Sequence, residues 1–166
     1  MISGSIMDGQ RHLFEHHIYH SDIKEANVLL DVENGSAKAA VLSDFGVSSF
    51  KGYNNLGSTP CFEAPELLSG PNRKPDELSE IWSTGLLILK IALHPPRNVW
   101  ADDVDGERPL LAMYPKSLGS LQSEPLKNLI TSMLYPDRNL RCDMKSAIQM
   151  FNALSVADFG SSRKPN

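Results

Sequence analysis

The sequence predicts a mainly α domain built round one buried helix, with a small β-hairpin as its only sheet. Three observations lead there. Residues 80–93 are apolar nearly all round, which marks a helix buried on every side rather than half exposed. Leu126, Leu129, Ile130, Met133 and Leu134 share one face of 125–134, and 144–154 reads as a final amphipathic helix. Residues 28–30 and 39–42 are short apolar runs either side of Asn34-Gly35, a hairpin signal, although their separation is long for a two-residue turn.

In chain order, residues 7–19 carry Leu13, Phe14 and Ile18 in a weak helical pattern. His12, His16 and His20 fall at four-residue spacing, which on a helix presents imidazoles to a metal; the plainer reading is a solvated face, with His20 already in a loop. The stretch His20-Ser21-Asp22-Ile23-Lys24-Glu25-Ala26-Asn27 then runs into the apolar 28–30. It reads as a polar loop anchored on a strand. Asp22 is placed to accept a hydroxyl proton, Lys24 to neutralise a phosphate, and Asn27 to offer an oxygen to a divalent cation. A second acid, Asp44, ends the next apolar run. Phosphoryl transfer needs positioning and charge neutralisation, so one acid near the nucleophile and another on a metal make chemical sense. Asn27 and Asp44 are also ordinary turn residues, and that reading stands beside the ligand one.

Residues 47–63 have the Gly, Ser and Asn content of a loop; Ser48, Ser49, Tyr53 and Ser58 are hydroxyls that nothing singles out as phosphate acceptors. Pro95-Pro96 stops the buried helix. Residues 97–121 are irregular, with Asp102, Asp103, Asp105 and Glu107 close together: a solvated loop, or a docking surface for basic substrates. Residues 156–166 form a small, polar, basic tail.

Composition sets further bounds. The 166 residues suit one domain, 1–155 before the tail, with 41% apolar and 22% charged residues. A net charge of −4 gives no support for nucleic-acid binding. Cys61 and Cys142 follow no metal spacing, and the first ten residues are too short and polar for a secretory signal. No apolar run reaches a membrane span. A cytoplasmic protein without membrane partners is expected.

His20-Ser21-Asp22 through Asn27, then Asp44-Phe45-Gly46, then Ala64-Pro65-Glu66, in that order, resemble the signature set of eukaryotic-type protein kinases. The resemblance covers nearly the whole chain but only the family's large lobe. It makes the fold a kinase-like large lobe whose hairpin carries the catalytic and metal-binding loops. It implies ATP and Mg²⁺ as cofactors, a protein hydroxyl as acceptor, Asp22 and Lys24 as catalytic residues, and Lys24, Asn27 and Asp44 around the nucleotide and metal. Lys24 favours a serine/threonine kinase. Thr59 is implied to bond near Asp22 and Lys24 and seat the substrate residue, and His20 to be structural. Arg141 is implied to pair with Glu66. Glu80 stands where the family expects Asp, so its anchoring of the catalytic loop is expected to be shifted or remade through water. Ser21 replaces the Arg that many members use to bind a phosphorylated activation loop, which makes that switch unexpected here. Asp158-Phe159-Gly160, without a catalytic loop before it, reads as coincidence.

Only nineteen residues precede His20, and no glycine-rich loop or Val-Ala-Ile-Lys lysine is among them. Two functions follow. One is the catalytic half of a serine/threonine kinase, with a small lobe supplied elsewhere in the polypeptide or by a partner in trans. The other is a kinase-like interaction module without catalysis. Low or no activity is expected of the chain alone.

Overall fold

The computed structural model describes residues 2–53, 57–68, 74–93 and 118–159. The predicted stop at Pro95-Pro96, the acidic cluster of residues 102–107 and the end of the tail lie outside them. The elements run α1 (Ile2–Glu15), β1 (Ile18–Tyr19), β2 (Val28–Glu33), β3 (Ser36–Leu42), β4 (Ser49–Phe50), α2 (Pro65–Leu68), α3 (Glu77–Ala92), α4 (Glu124–Met133) and α5 (Met144–Asn152). Short 3-10 turns cover Glu25–Asn27, Pro60–Phe62, Arg138–Leu140 and Val156–Phe159. The architecture is mainly helical, as predicted.

At the centre is α3. Ile81, Trp82, Leu86, Leu87, Ile88 and Leu89 are each no more than 1% exposed. Its start is fixed by Asp76, whose carboxylate accepts the Ser79 N–H at 3.0 Å while the Ser79 hydroxyl receives the Asp76 N–H at 2.9 Å. This capping box begins the helix three residues before the predicted start, because the polar cap precedes the apolar pattern. Against α3 pack α1, α4 and α5, through Ile6, Met7, Leu126, Leu129, Ile130, Met133, Ala147 and Phe151. Gly85 makes the α3–α4 approach possible: a Cβ there would meet Met133 Cβ and Leu134 Cδ2, each at 2.9 Å.

The helix α1 starts well before the predicted 7–19. Ser3, Ile6, Met7 and Gln10 form its buried stripe. Two of those four are polar, and Gly4 and Gly9 are poor helix formers, so pattern and propensity both understate it. Gly4 faces Phe151, whose Cε1 would be 3.0 Å from an added Cβ.

The hairpin is tighter than expected. β2 and β3 extend to Glu33 and Ser36, leaving Asn34 (φ +51°) and Gly35 (φ +73°) as a two-residue turn with both φ positive. Asn-Gly suits such a turn, since both residues adopt the left-handed region at low cost. The strands looked short because their distal ends are solvated and polar. The hairpin is also not the only sheet: β1 pairs antiparallel with β4, Ile18 with Phe50 and Tyr19 with Ser49. Two residues carry no periodicity, and the partners lie about thirty residues apart, so this pairing is a tertiary outcome.

After α4 the chain returns Arg141 to the core. Its guanidinium, fully buried, donates from Nη1 to Glu66 Oε1 at 2.7 Å and from Nη2 to Glu66 Oε2 at 3.0 Å. It also donates to the Leu78 carbonyl (2.6 Å) and the Tyr135 carbonyl (3.1 Å), and lies over the Trp82 ring at 5.1 Å. One side chain thus ties α2, α3 and the α4–α5 connection together. Residues Val156–Phe159, placed by sequence in the tail, form a 3-10 turn with Phe159 against Phe151. Asp158 there accepts from Ser155 and Ser123, a local cap.

Two stability outcomes follow from this packing. Arg141→Ala strands the Glu66 carboxylate and two carbonyls and should cost about 3–5 kcal/mol; an unchanged midpoint in chemical denaturation would contradict it. Gly85→Ala forces α3 from α4 and should cost about 1–3 kcal/mol, read from the same transition.

Candidate active site

Antiparallel pairing of Val28 with Leu42 brings the two loops flanking the hairpin to one end of it. The Asn27 carbonyl accepts both the Ser43 N–H (2.9 Å) and the Ser43 hydroxyl (3.1 Å), clamping that end shut. The loop of residues 20–27 and the loop of 43–48 are therefore neighbours in space, sixteen residues apart in sequence at the clamp.

His20 holds the two loops to each other. It is wholly buried. Its Nε2 lies 2.9 Å from the Ser43 carbonyl and its Nδ1 lies 3.4 Å from the Asp22 N–H. The first contact needs a ring N–H and the second a ring lone pair, so one neutral tautomer satisfies both. The ring also packs on Phe45 at 4.8 Å, and the His20 carbonyl accepts from the Ser48 hydroxyl at 3.0 Å. Burial pushes the imidazole pKa down, against the opposing pull of the Ser43 carbonyl. His12, near the end of α1, and His16, in the turn just past it, are both exposed, and among the described residues no group of three candidate metal ligands forms.

Asp22 is the focus of the polar contacts. Its Oδ1 accepts the Thr59 hydroxyl (2.6 Å) and the Thr59 N–H (2.9 Å). Its Oδ2 accepts the Asn27 amide (2.9 Å) and sits 2.7 Å from the Lys24 ammonium. Lys24 in turn donates to the Thr59 hydroxyl at 2.7 Å. The Asp22 side chain is 11% exposed and that of Lys24 26%, so the group is screened from bulk water without being sealed off. Burial by itself would raise the carboxyl, but the Lys24, Thr59 and Asn27 hydrogen bonds outweigh it and hold it below the usual carboxylate range.

Asn27 spends its amide hydrogens on the Asp22 carboxylate and the Asp22 carbonyl (2.8 Å), which turns the amide oxygen away from Asp22. Asp44 is exposed, in the left-handed region at φ +63°, with Oδ1 accepting the Gly46 N–H at 3.2 Å. Both are hard oxygen donors at the same end of the hairpin. That donor set fits a small hard dication such as Mg²⁺, which takes few carboxylates and otherwise oxygen ligands.

The backbone of the 20–27 loop is fixed from α3. Glu80, 3% exposed, accepts the Ser21 N–H directly on Oε1, so the longer side chain reaches the loop itself rather than through water. Ser21 has φ +70°, a conformation that this bond helps to hold. Burial pushes the Glu80 carboxyl up to about 7. In the place of the family's Arg, the Ser21 hydroxyl contacts Ser49 at 3.4 Å. Sequence reasoning missed the ion pair from Lys90, at the end of α3, to Glu25 in the 20–27 loop, and the Gln10–Thr84 contact beneath Glu80. No local pattern marks either, since each joins residues more than sixty apart.

One loop thus carries a held carboxylate, a lysine and one hard-oxygen donor, a second oxygen donor stands on the neighbouring loop, and the whole is mounted against a buried helix. The chain belongs to the protein kinase family: the family model for the protein kinase domain matches residues 1–152. Among its relatives are the serine/threonine-protein kinase fray1 of Dictyostelium discoideum, 29% identical over 98% of this chain, and the serine/threonine-protein kinase SMU1 of Mycosarcoma maydis, 31% identical over 68%. Mitogen-activated protein kinase kinase kinase 1 of Arabidopsis thaliana is 37% identical over 52% of the chain. The matched segments span 28%, 14% and 14% of those proteins' own lengths. Among the described residues no helix is long and apolar enough to cross a membrane.

The buried neutral His20 carries a pH signature. Its folded pKa lies below the unfolded value near 6.5, so the unfolded chain takes the proton first as pH falls. Its contribution is complete above about 6.5 and is lost below that. Denaturation of the wild type and of His20→Gln across this range should show the acid-side loss specific to His20 absent from the variant; parallel profiles would contradict it.

Proposed function

We propose that this chain is the catalytic half of a serine/threonine protein kinase, which passes the γ-phosphoryl group of ATP to a hydroxyl of a protein substrate in the cytoplasm. The observation that carries the reading is the Asp22 network. One carboxylate is held ionised by a lysine, a threonine and an asparagine drawn from two loops. A structural aspartate needs no such convergence of cation and hydroxyl at a partly open site.

In this reading a substrate hydroxyl takes the place on Asp22 Oδ1 now held by the Thr59 hydroxyl, while the Thr59 N–H stays. The substrate oxygen bonds the γ-phosphorus, the bond from phosphorus to the β–γ bridging oxygen breaks, and the hydroxyl proton passes to Asp22. A carboxylate with a depressed pKa is a weak base, which suits a loose transition state in which the proton leaves late and orientation matters most. Lys24 Nζ, between Asp22 and Thr59, neutralises the transferred group. The Asn27 amide oxygen and the Asp44 carboxylate would hold Mg²⁺, which would supply charge to offset that of the phosphates.

The glycine-rich cover and the strand lysine that hold the phosphates are supplied by a small lobe, elsewhere in the same polypeptide or in trans. Positioning supplies on the order of 7–11 kcal/mol in favourable systems, so the 166-residue chain by itself should give no measurable phosphotransfer. Joined to a compatible small lobe it should phosphorylate a generic Ser/Thr substrate, and Asp22→Asn should lower that activity by about 10²–10⁴-fold. Robust turnover by the unjoined chain would contradict the need for the lobe. Full activity in the Asp22→Asn fusion would contradict the role of Asp22. A folded but inactive wild-type fusion would favour an interaction module.

A further inference from the structure

Beneath the catalytic loop lies a small buried polar group that the chemistry above does not use. Gln10 of α1 is wholly buried, and its Oε1 lies 2.6 Å from the Thr84 hydroxyl of α3. The same hydroxyl lies 3.0 Å from the Glu80 carbonyl one turn earlier. Gln10 Nε2 and Glu80 Oε2 are both buried, and neither closes a hydrogen bond of normal length and angle. The Thr84 hydroxyl, in contact with the Gln10 oxygen on one side and the Glu80 carbonyl on the other, places the Gln10 amide next to the Glu80 residue, and the pull of that amide favours the ionised carboxyl. A dry amide donor and a dry carboxylate acceptor, each without a closed bond, are each other's complement.

We propose that Gln10 is a positioning residue for the catalytic loop: its amide, oriented by Thr84, seats the Glu80 carboxyl that holds Ser21, the residue before Asp22. The consequence for catalysis rests on Asp22 acting as the base; the hydrogen-bond network itself does not.

The stoichiometry of protons supports this role. The Thr84 hydroxyl has one hydrogen and cannot donate to both of its neighbours. With Glu80 ionised, Thr84 donates to Gln10 Oε1, and the Gln10 N–H group points to Glu80 Oε2. With Glu80 protonated, the amide flips: the carboxyl O–H donates to Gln10 Oε1, Gln10 Nε2 donates to the Thr84 oxygen, and Thr84 donates to the Glu80 carbonyl. Both arrangements use the same heavy-atom positions, since amide orientation and hydroxyl rotation are free to follow the network. An apolar residue at position 10 supports neither. The other titratable groups around Glu80 are Tyr19 and His20 from β1 and the catalytic loop, and Asp76 and Glu77 at the start of α3, with Arg138 paired to Asp76. Asp76 disfavours ionisation of Glu80, and the backbone N–H of Ser21 favours it. Gln10 is the neutral group among them that serves either state.

The test uses the 166-residue chain and needs no phosphotransfer, so its outcome is separate from that of the kinase reading. Chemical denaturation and the Ser21 amide protection factor are measured for wild type and Gln10→Leu at pH about 5.5 and about 8.5, either side of the Glu80 titration. A carboxylate that loses its donor suffers more than a neutral carboxyl does. The unfolding constant of Gln10→Leu should therefore rise about tenfold more at the alkaline pH than at the acid one. Ser21 protection should fall in parallel, and Glu80→Gln in the same background should abolish the difference. An equal loss at both pH values with Ser21 protection unchanged would reduce Gln10 to a packing residue and overturn the proposal. If Gln10→Leu does not fold, Thr84→Val, close in shape, is read the same way: an alkaline-weighted loss supports the proposal, and a pH-independent loss overturns it.

Discussion

Within the helix Glu77–Ala92 every residue from Ser79 to Leu89 except Ser83 is buried and none is fully exposed, and that constraint organises everything else. A helix with no solvated face offers its neighbours fixed attachment points, and its few polar side chains are those points. Asp76 caps it and pairs with Arg138. Glu80 takes the Ser21 amide, Ser83 donates to the Phe62 carbonyl at 2.7 Å, and Thr84 meets Gln10. The Leu78 carbonyl receives Arg141. The 20–27 loop, the turn at Pro60–Phe62, α1 and Arg141 are thereby referred to one rigid body. Apolar packing supplies the rigidity, and the polar contacts transmit it to loops that have little core of their own.

The same logic explains why the Asp22 cluster keeps its shape while partly open to solvent. Its members come from the loop of residues 20–27 and from Thr59, and each makes more than one contact inside the cluster. Networks of this kind hold geometry because no member can move without leaving another unpaired in a region of low dielectric. Charge is handled locally as well. Lys24 answers Asp22, and Lys90 answers Glu25 one residue further along the loop while lying 5.8 Å over the Phe62 ring. The catalytic loop is thus held from α3 at two places, through Ser21 and through Glu25.

The hairpin plays a different part. Leu29, Leu30, Val32 and Val41 are each about half exposed, whereas Ala40, directly opposite Leu30, is buried. The hairpin contributes one side to the core and, through Asn27 and Ser43, locks the two functional loops at its closed end. Its value lies in register: Val28 opposite Leu42 sets Asn27 beside the turn that carries Asp44. A slip of one residue would turn every side chain of the slipped strand to the other face and shift one oxygen donor away from the other.

Much of this was legible in the sequence. The apolar stretch at 80–93 and the spaced faces of 125–134 and 144–154 are local patterns that burial enforces, and the structure has helices there. Asn34-Gly35 announced a hairpin because backbone preference at a turn is local too. The loop residues 20–27 and Asp44 stood out from residue type and spacing, and the structure brings the two loops that carry them to one end of the hairpin. What sequence did not decide depends on pairs far apart in the chain. The strand pairing of Ile18–Tyr19 with Ser49–Phe50, the direct reach of Glu80 to Ser21, the start of α1 with its half-polar buried stripe, and the Gln10–Thr84 contact have no local signature. Periodicity records which face of an element is buried; it does not record which buried polar atom meets which. That matching is fixed only when the helices close on α3 and each dry donor and acceptor must find a partner among those within reach.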